Sequence, residues 1–91
     1  MKTAVIQIGN TDDKLSQVEW NHYVEDVIEI VGKYGKVHFF GGSSTFAPWQ
    51  NVCWVMESNE NLYEFISDLK NIKKIYNQDS IAIMIGKVIM I

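Results

Sequence analysis

Val37–Met56 reads VHFFGGSSTFAPWQNVCWVM, two short runs of β-branched and aromatic residues separated by a stretch rich in Gly and Ser. Each run has the length and composition of a strand, and the glycines and the proline between them interrupt any helical pattern. The second and third strands of the chain therefore form a hairpin. Its connection, Gly41–Pro48, is longer than the two to five residues that usual hairpins need.

Working outward, Thr3–Ile8 is a first strand that ends where Gly9 and Asn10 bring turn chemistry. Ser16 followed by Glu19 has the form of a capping box, which predicts a helix starting there. Trp20, Tyr23, Val24, Val27, Ile30, Val31 and Tyr34 recur at three and four residues along it, and Gly35 is its stop. On the other side of the hairpin, Ser58 or Asn59 caps a second helix with the stripe Leu62, Phe65, Ile66, Leu69, Ile72 and Tyr76. Asn77-Gln78-Asp79 ends it, and a last strand starts at Ser80. Gly86-Lys87 carries a hairpin signal, so a short extra C-terminal strand is an open alternative.

The order strand, helix, strand, strand, helix, strand predicts an α+β chain: a ferredoxin-like βαββαβ sandwich, with a four-stranded antiparallel sheet and two helices on one face. Ninety-one residues make one such domain, residues 1–91, with a modest core. Any site is then shallow or shared between subunits.

The strands carry apolar groups on both faces. Ala4, Ile6 and Ile8 are expected toward the helices, with Thr3, Val5 and Gln7 opposite; Val52, Trp54 and Met56 divide likewise from Cys53 and Val55. In the last strand Ile81, Ile83 and Ile85 alternate with Ala82 and Met84, again apolar on both sides. A monomer with one solvated sheet face alternates more cleanly. The pattern predicts a homo-oligomer, a dimer or larger ring, through the open face or the last strand; the alternative is that the loop and the C-terminal segment fold back over the sheet.

Eight Lys and Arg against eleven Asp and Glu give a formal charge of -3, which argues against a phosphate-tracking groove and so against nucleic acid as partner. One cysteine, Cys53, forms neither an internal disulfide nor a zinc cage, and points to a reducing, cytoplasmic setting. The N-terminal segment lacks the pattern of a signal peptide, and the apolar C-terminal run, broken by Lys87, is too short to span a bilayer as a helix, so no membrane role is expected.

The connection itself is the candidate site. Gly41 and Gly42 permit backbone conformations closed to other residues and could aim N–H groups at an anion. Ser43, Ser44 and Thr45 add hydroxyl groups, Trp49 a flat face, and Gln50 and Asn51 paired donors and acceptors. Phe46 and Trp49 serve to anchor the loop against the sheet or a subunit interface, with contact to a ligand or partner as the alternative. It is not a Walker-type phosphate loop, because no Lys follows the glycines and a strand comes next.

His22, His38 and Cys53 show no ligand or nucleophile spacing, and no catalytic residue or cofactor is assigned. The chain reads as a small acidic binding protein that recognises a small polar, nucleotide-like ligand or a protein partner, in the manner of a phage or mobile-element inhibitor or a ligand-sequestering protein. Two alternatives stand beside it. One is a metal-dependent phosphodiesterase or nuclease using Asp12 and Asp13 at a dimer interface; the other is a purely structural assembly subunit.

Overall fold

A computed structural model describes residues 2–43 and 50–91 of the chain. Strand β1 (Lys2–Gly9) is followed by a single turn of 3-10 helix at Thr11–Asp13 and helix α1 (Gln17–Tyr34). The hairpin strands β2 (Lys36–Gly42) and β3 (Asn51–Ser58) come next, then α2 (Tyr63–Ile75) and β4 (Ala82–Gly86). All neighbouring strands are antiparallel, in the order β2-β3-β1-β4. This is the predicted ferredoxin-like α+β arrangement.

The core is the predicted alternation made physical. Ala4, Ile6 and Ile8 of β1 and Val52, Trp54 and Met56 of β3 are buried beneath the helices. Trp20, Tyr23, Val27, Val31 and Tyr34 of α1, and Phe65, Leu69 and Ile72 of α2, close over them. The capping box is present: the Glu19 N–H donates to Ser16 Oγ at 3.2 Å and the Ser16 N–H to Glu19 Oε1 at 3.0 Å. The bond from the Ser16 backbone N–H, with the neighbouring Ser16 hydroxyl second, holds the Glu19 carboxyl below its usual range.

Three details differ from the sequence expectation. Ser58 does not cap α2: it ends β3, donating to the Tyr34 carbonyl at 2.7 Å and accepting from the Glu60 N–H at 3.0 Å. Leu62 stands at the N-cap of α2 without a side-chain cap, and Asn61 Oδ1 accepts from the Tyr63 N–H at 2.9 Å. Gly86-Lys87 does not make a hairpin, for the described residues 87–91 form no strand.

Strand β2 also carries a bulge the composition does not announce. Val37 pairs with Met56 and Phe39 with Val55, so His38 is the extra residue. The bulge reverses the alternation: Val37 and Phe40 share the helix face with Met56 and Trp54, while Phe39 goes to the open face beside Val55. His38 Nε2 lies 2.6 Å from Glu57 Oε2.

Candidate functional site

The predicted site lies where β1 ends, α1 begins, and β2 and β3 open into their connection. Ser44, Thr45, Phe46, Pro48 and Trp49 lie outside the described residues. Gly41, Gly42, Ser43, Gln50 and Asn51 are described, and they form its root.

Gly41 and Gly42 are described at the edge of this root. Both are strand residues opposite Cys53 and Val52, and no described glycine has a positive φ. At Gly42 smallness has a steric reason in the backbone, whereas at Gly41 only the exposed Phe39 ring is near. A Cβ on Gly42 would stand 2.4 Å from the Asn51 carbonyl oxygen, and one on Gly41 would stand 2.9 Å from Phe39 Cζ. The ladder continues one step past them: the Ser43 N–H donates to the Asn51 carbonyl at 2.9 Å, and the Asn51 N–H donates to Ser43 Oγ at 3.1 Å.

Gln50 joins this root to the rest of the fold. Its Oε1 accepts from Asn10 Nδ2 at 2.8 Å, and its Nε2 donates to Gln17 Oε1 at 2.8 Å. Gln17 Nε2 in turn donates to Asn21 Oδ1 at 3.3 Å. Four carboxamides thus run in sequence from the end of β1, across the start of β3, and along the first turns of α1. Asn10 anchors the chain from a buried position: its Oδ1 accepts from the Leu15 N–H and its Nδ2 donates to the Leu15 carbonyl, each at 3.0 Å.

Beside this relay is a cleft of about 310 Å³, lined by Gln17, Trp20, Asn21, Gly42, Ser43, Gln50, Asn51 and Val52. The sequence pointed to Gly42, Ser43, Gln50 and Asn51 but not to Gln17, Trp20 or Asn21. Trp20 reads first as a core residue, which it also is. The spacing of Gln17 and Asn21, one helical turn apart with Gln17 directly after the Ser16 cap, is the signal that could have placed them beside the loop.

The alternative carboxylates occupy a separate place. Asp12 and Asp13 are exposed in the turn after β1, at φ of 51° and 55°, a left-handed conformation that Asp tolerates better than most residues. Asp13 Oδ1 accepts from Asn10 Nδ2 at 3.4 Å. The turn is pinned from the other side by buried Gln78, whose Oε1 accepts the Thr11 N–H at 2.8 Å, and by Lys14 Nζ 3.2 Å from Asp79 Oδ1. Among the described residues, no group of three His, Cys, Asp or Glu side chains is gathered as a metal site would need. Cys53 lies half-buried on the open sheet face.

No helix among the described residues is long and apolar enough to cross a membrane. In comparisons with known proteins, no family model and no curated sequence matches this chain.

Proposed function

We propose that this chain is a non-enzymatic binding protein, assembled as a homo-oligomer, that recognises a small polar ligand of nucleotide-like chemistry through the 41–51 segment and the start of α1. The observation that carries this reading is the cleft beside the Asn10–Gln50–Gln17–Asn21 relay. Carboxamides present donors and acceptors together, as recognition of the edge of a base or amide requires, and a relay bonded end to end holds them in place without the ligand. Trp49, two residues from Asn51, supplies a flat apolar face within the same short segment.

The setting that suits such a protein is the cytoplasm, on the evidence of the lone Cys53, and the role that suits it is sequestration or inhibition. The test is retention of small molecules by protein purified from its expressing cells, compared across Trp49→Ala, Gln17→Ala and Asn21→Ala. Loss of a retained compound in these variants supports the reading. Trp49→Ala and Asn21→Ala proteins that keep their oligomer and every binding activity unchanged overturn it.

A further inference from the structure

The carboxamide relay has a direction, and the backbone sets it. Asn10 Oδ1 accepts from the Leu15 N–H and Asn10 Nδ2 donates to the Leu15 carbonyl, so the two ends of that carboxamide cannot be exchanged. The Gln50 atom that Asn10 Nδ2 meets has to be an acceptor, and it is Oε1 at 2.8 Å. Gln50 then has Nε2 to offer Gln17 Oε1, again at 2.8 Å, and Gln17 has Nε2 to offer Asn21 Oδ1 at 3.3 Å. Every oxygen of the row already holds a hydrogen. The row ends on Asn21 Nδ2, which donates to nothing among the described residues. Hydrogen bonds in such a chain polarise one another in the same sense, which strengthens the last N–H as a donor. The Ser43 hydroxyl adds to it: its oxygen accepts from the Asn51 N–H at 3.1 Å, and its hydrogen has no acceptor among the described residues.

Charge is absent from the same place. No residue lining the cleft is Lys, Arg, His, Asp or Glu, and the segment 41–51 contains none of them in its sequence. The start of α1 is already taken by an anion, because the Glu19 carboxylate accepts from the Ser16 N–H at 3.0 Å. A phosphate placed here would give up water with no cation to replace it. The volume, about 310 Å³, stands near the lower end of the range of about 300–1,000 Å³ usual for ligand clefts, which suits a base or a nucleoside.

We infer that the compound this cleft takes is an uncharged heterocycle that presents a ring carbonyl oxygen to Asn21 Nδ2: an oxo-base or its nucleoside, and not a phosphorylated nucleotide. This names the class of the proposed polar ligand and rests on that reading. A carbonyl oxygen accepts the hydrogens that the relay leaves free. An exocyclic amine in its place sets donor against donor and leaves the Asn21 N–H groups unpaired.

The experiment is calorimetric titration of the full chain with two pairs of nucleosides, uridine against cytidine and inosine against adenosine, and with the 5′-monophosphates of uridine and inosine. Within each pair a ring carbonyl is exchanged for an amine. The wild type is compared with Asn21→Asp, which keeps an oxygen for Gln17 Nε2 and replaces the free amide nitrogen by a second oxygen. The side chain is exposed, and circular dichroism verifies that the variant is folded. Because the nucleosides are uncharged, the variant tests the lost donor and not repulsion. The wild type is expected to bind the oxo member of at least one pair about three- to tenfold more tightly, the worth of one hydrogen bond. The monophosphate is expected to bind no more tightly than its nucleoside, and Asn21→Asp to abolish or invert the preference. A wild type that prefers the amino member, a preference that survives Asn21→Asp, or tighter binding of a monophosphate overturns the inference and leaves the ligand reading standing. Binding of none of these compounds also overturns it. Whether purified protein still retains some other small molecule, lost in Trp49→Ala, then decides the wider reading separately.

Discussion

Asn10 and Gln50 are joined twice: Asn10 Nδ2 donates to Gln50 Oε1 at 2.8 Å, and the Asn10 backbone N–H donates to the Gln50 carbonyl at 3.0 Å. One residue ends the first strand and the other begins the approach to the third, so this pair locks the loop's root to the sheet. Because Asn10 is buried and also satisfies both backbone groups of Leu15, the lock belongs to the fold as well as to the site.

Removing each side of that pair should therefore give different results. Asn10→Ala leaves the Leu15 N–H and carbonyl without their partner, and a cost of about 2–3 kcal/mol is expected. Gln50→Ala removes bonds nearer solvent and should cost about 1 kcal/mol or less. Urea unfolding of both variants checks the order, which equal effects would contradict.

The capping box at Ser16 gives a second prediction. Ser16→Ala should lower stability by about 1 kcal/mol, through loss of the acceptor for the Glu19 N–H. Since the cap also fixes the first turn, where Gln17 and Asn21 stand, the same variant should weaken ligand retention at temperatures well below its unfolding transition. A variant as stable as the wild type would show that α1 starts without this cap.

Alkaline pH should unfold the protein through its tyrosines. Tyr23 is pushed up to about 12 by burial. Tyr34 rises to about 12 mainly through the hydrogen bond it donates to Asp68, and Tyr76 to about 12 through burial, then its hydrogen bond to Asp26. Each folded value exceeds the ordinary value near 10, so the neutral hydroxyl is the form the fold favours. The resulting stability is fully present below about pH 10 and is lost as pH rises from about 10 through about 12. Far-ultraviolet circular dichroism and tyrosinate absorbance, recorded on one titration, should change together in that window. Tyrosinate formation complete by about pH 10 without unfolding would contradict the burial of Tyr23.

Tyr23→Phe separates packing from the hydroxyl. The Tyr23 hydroxyl is buried with no hydrogen-bond partner among the described residues. Its removal at neutral pH should be neutral or stabilising by up to about 1 kcal/mol, and should also blunt the alkaline transition. A loss of about 2 kcal/mol or more would mean that the hydroxyl is bonded after all.

The carboxylate alternative has its own control. Asp12→Asn and Asp13→Asn keep a residue that accepts positive φ while removing the charge, whereas alanine adds a backbone cost of about 1–2 kcal/mol at the same positions. The binding reading predicts that both Asn variants retain ligand as the wild type does. Magnesium- or manganese-dependent cleavage of a phosphodiester by the wild type, abolished in either variant, would favour the enzyme reading instead.

Much of this fold was legible because local signals agreed with the tertiary ones. Ser16 and Glu19 announced α1, its stripe from Trp20 to Tyr34 matched the buried face, and the alternation of Ala4, Ile6 and Ile8 named the covered side of β1. Where non-local contacts decide, the residues alone said less. Ser58 looks like a cap, but its hydroxyl is drawn to the Tyr34 carbonyl at the end of α1. The bulge at His38 depends on the register with β3, which composition does not encode. The candidate cleft was half legible: Gln50 and Asn51 stood out beside Trp49 in the sequence, while Gln17 and Asn21 join Gln50 only through the hydrogen bonds at the start of α1. Gly41 and Gly42 suggested backbone N–H groups aimed at an anion because glycine permits unusual conformations; both are strand residues, and Gly42 packs closely on the Asn51 carbonyl.

The most direct measurement is native mass spectrometry of the protein purified from its expressing cells, beside its Trp49→Ala variant. The account predicts a homo-oligomer of the 10.5 kDa chain that carries an added small-molecule mass, absent or reduced in the variant. A clean monomer, without added mass in either protein, would contradict it.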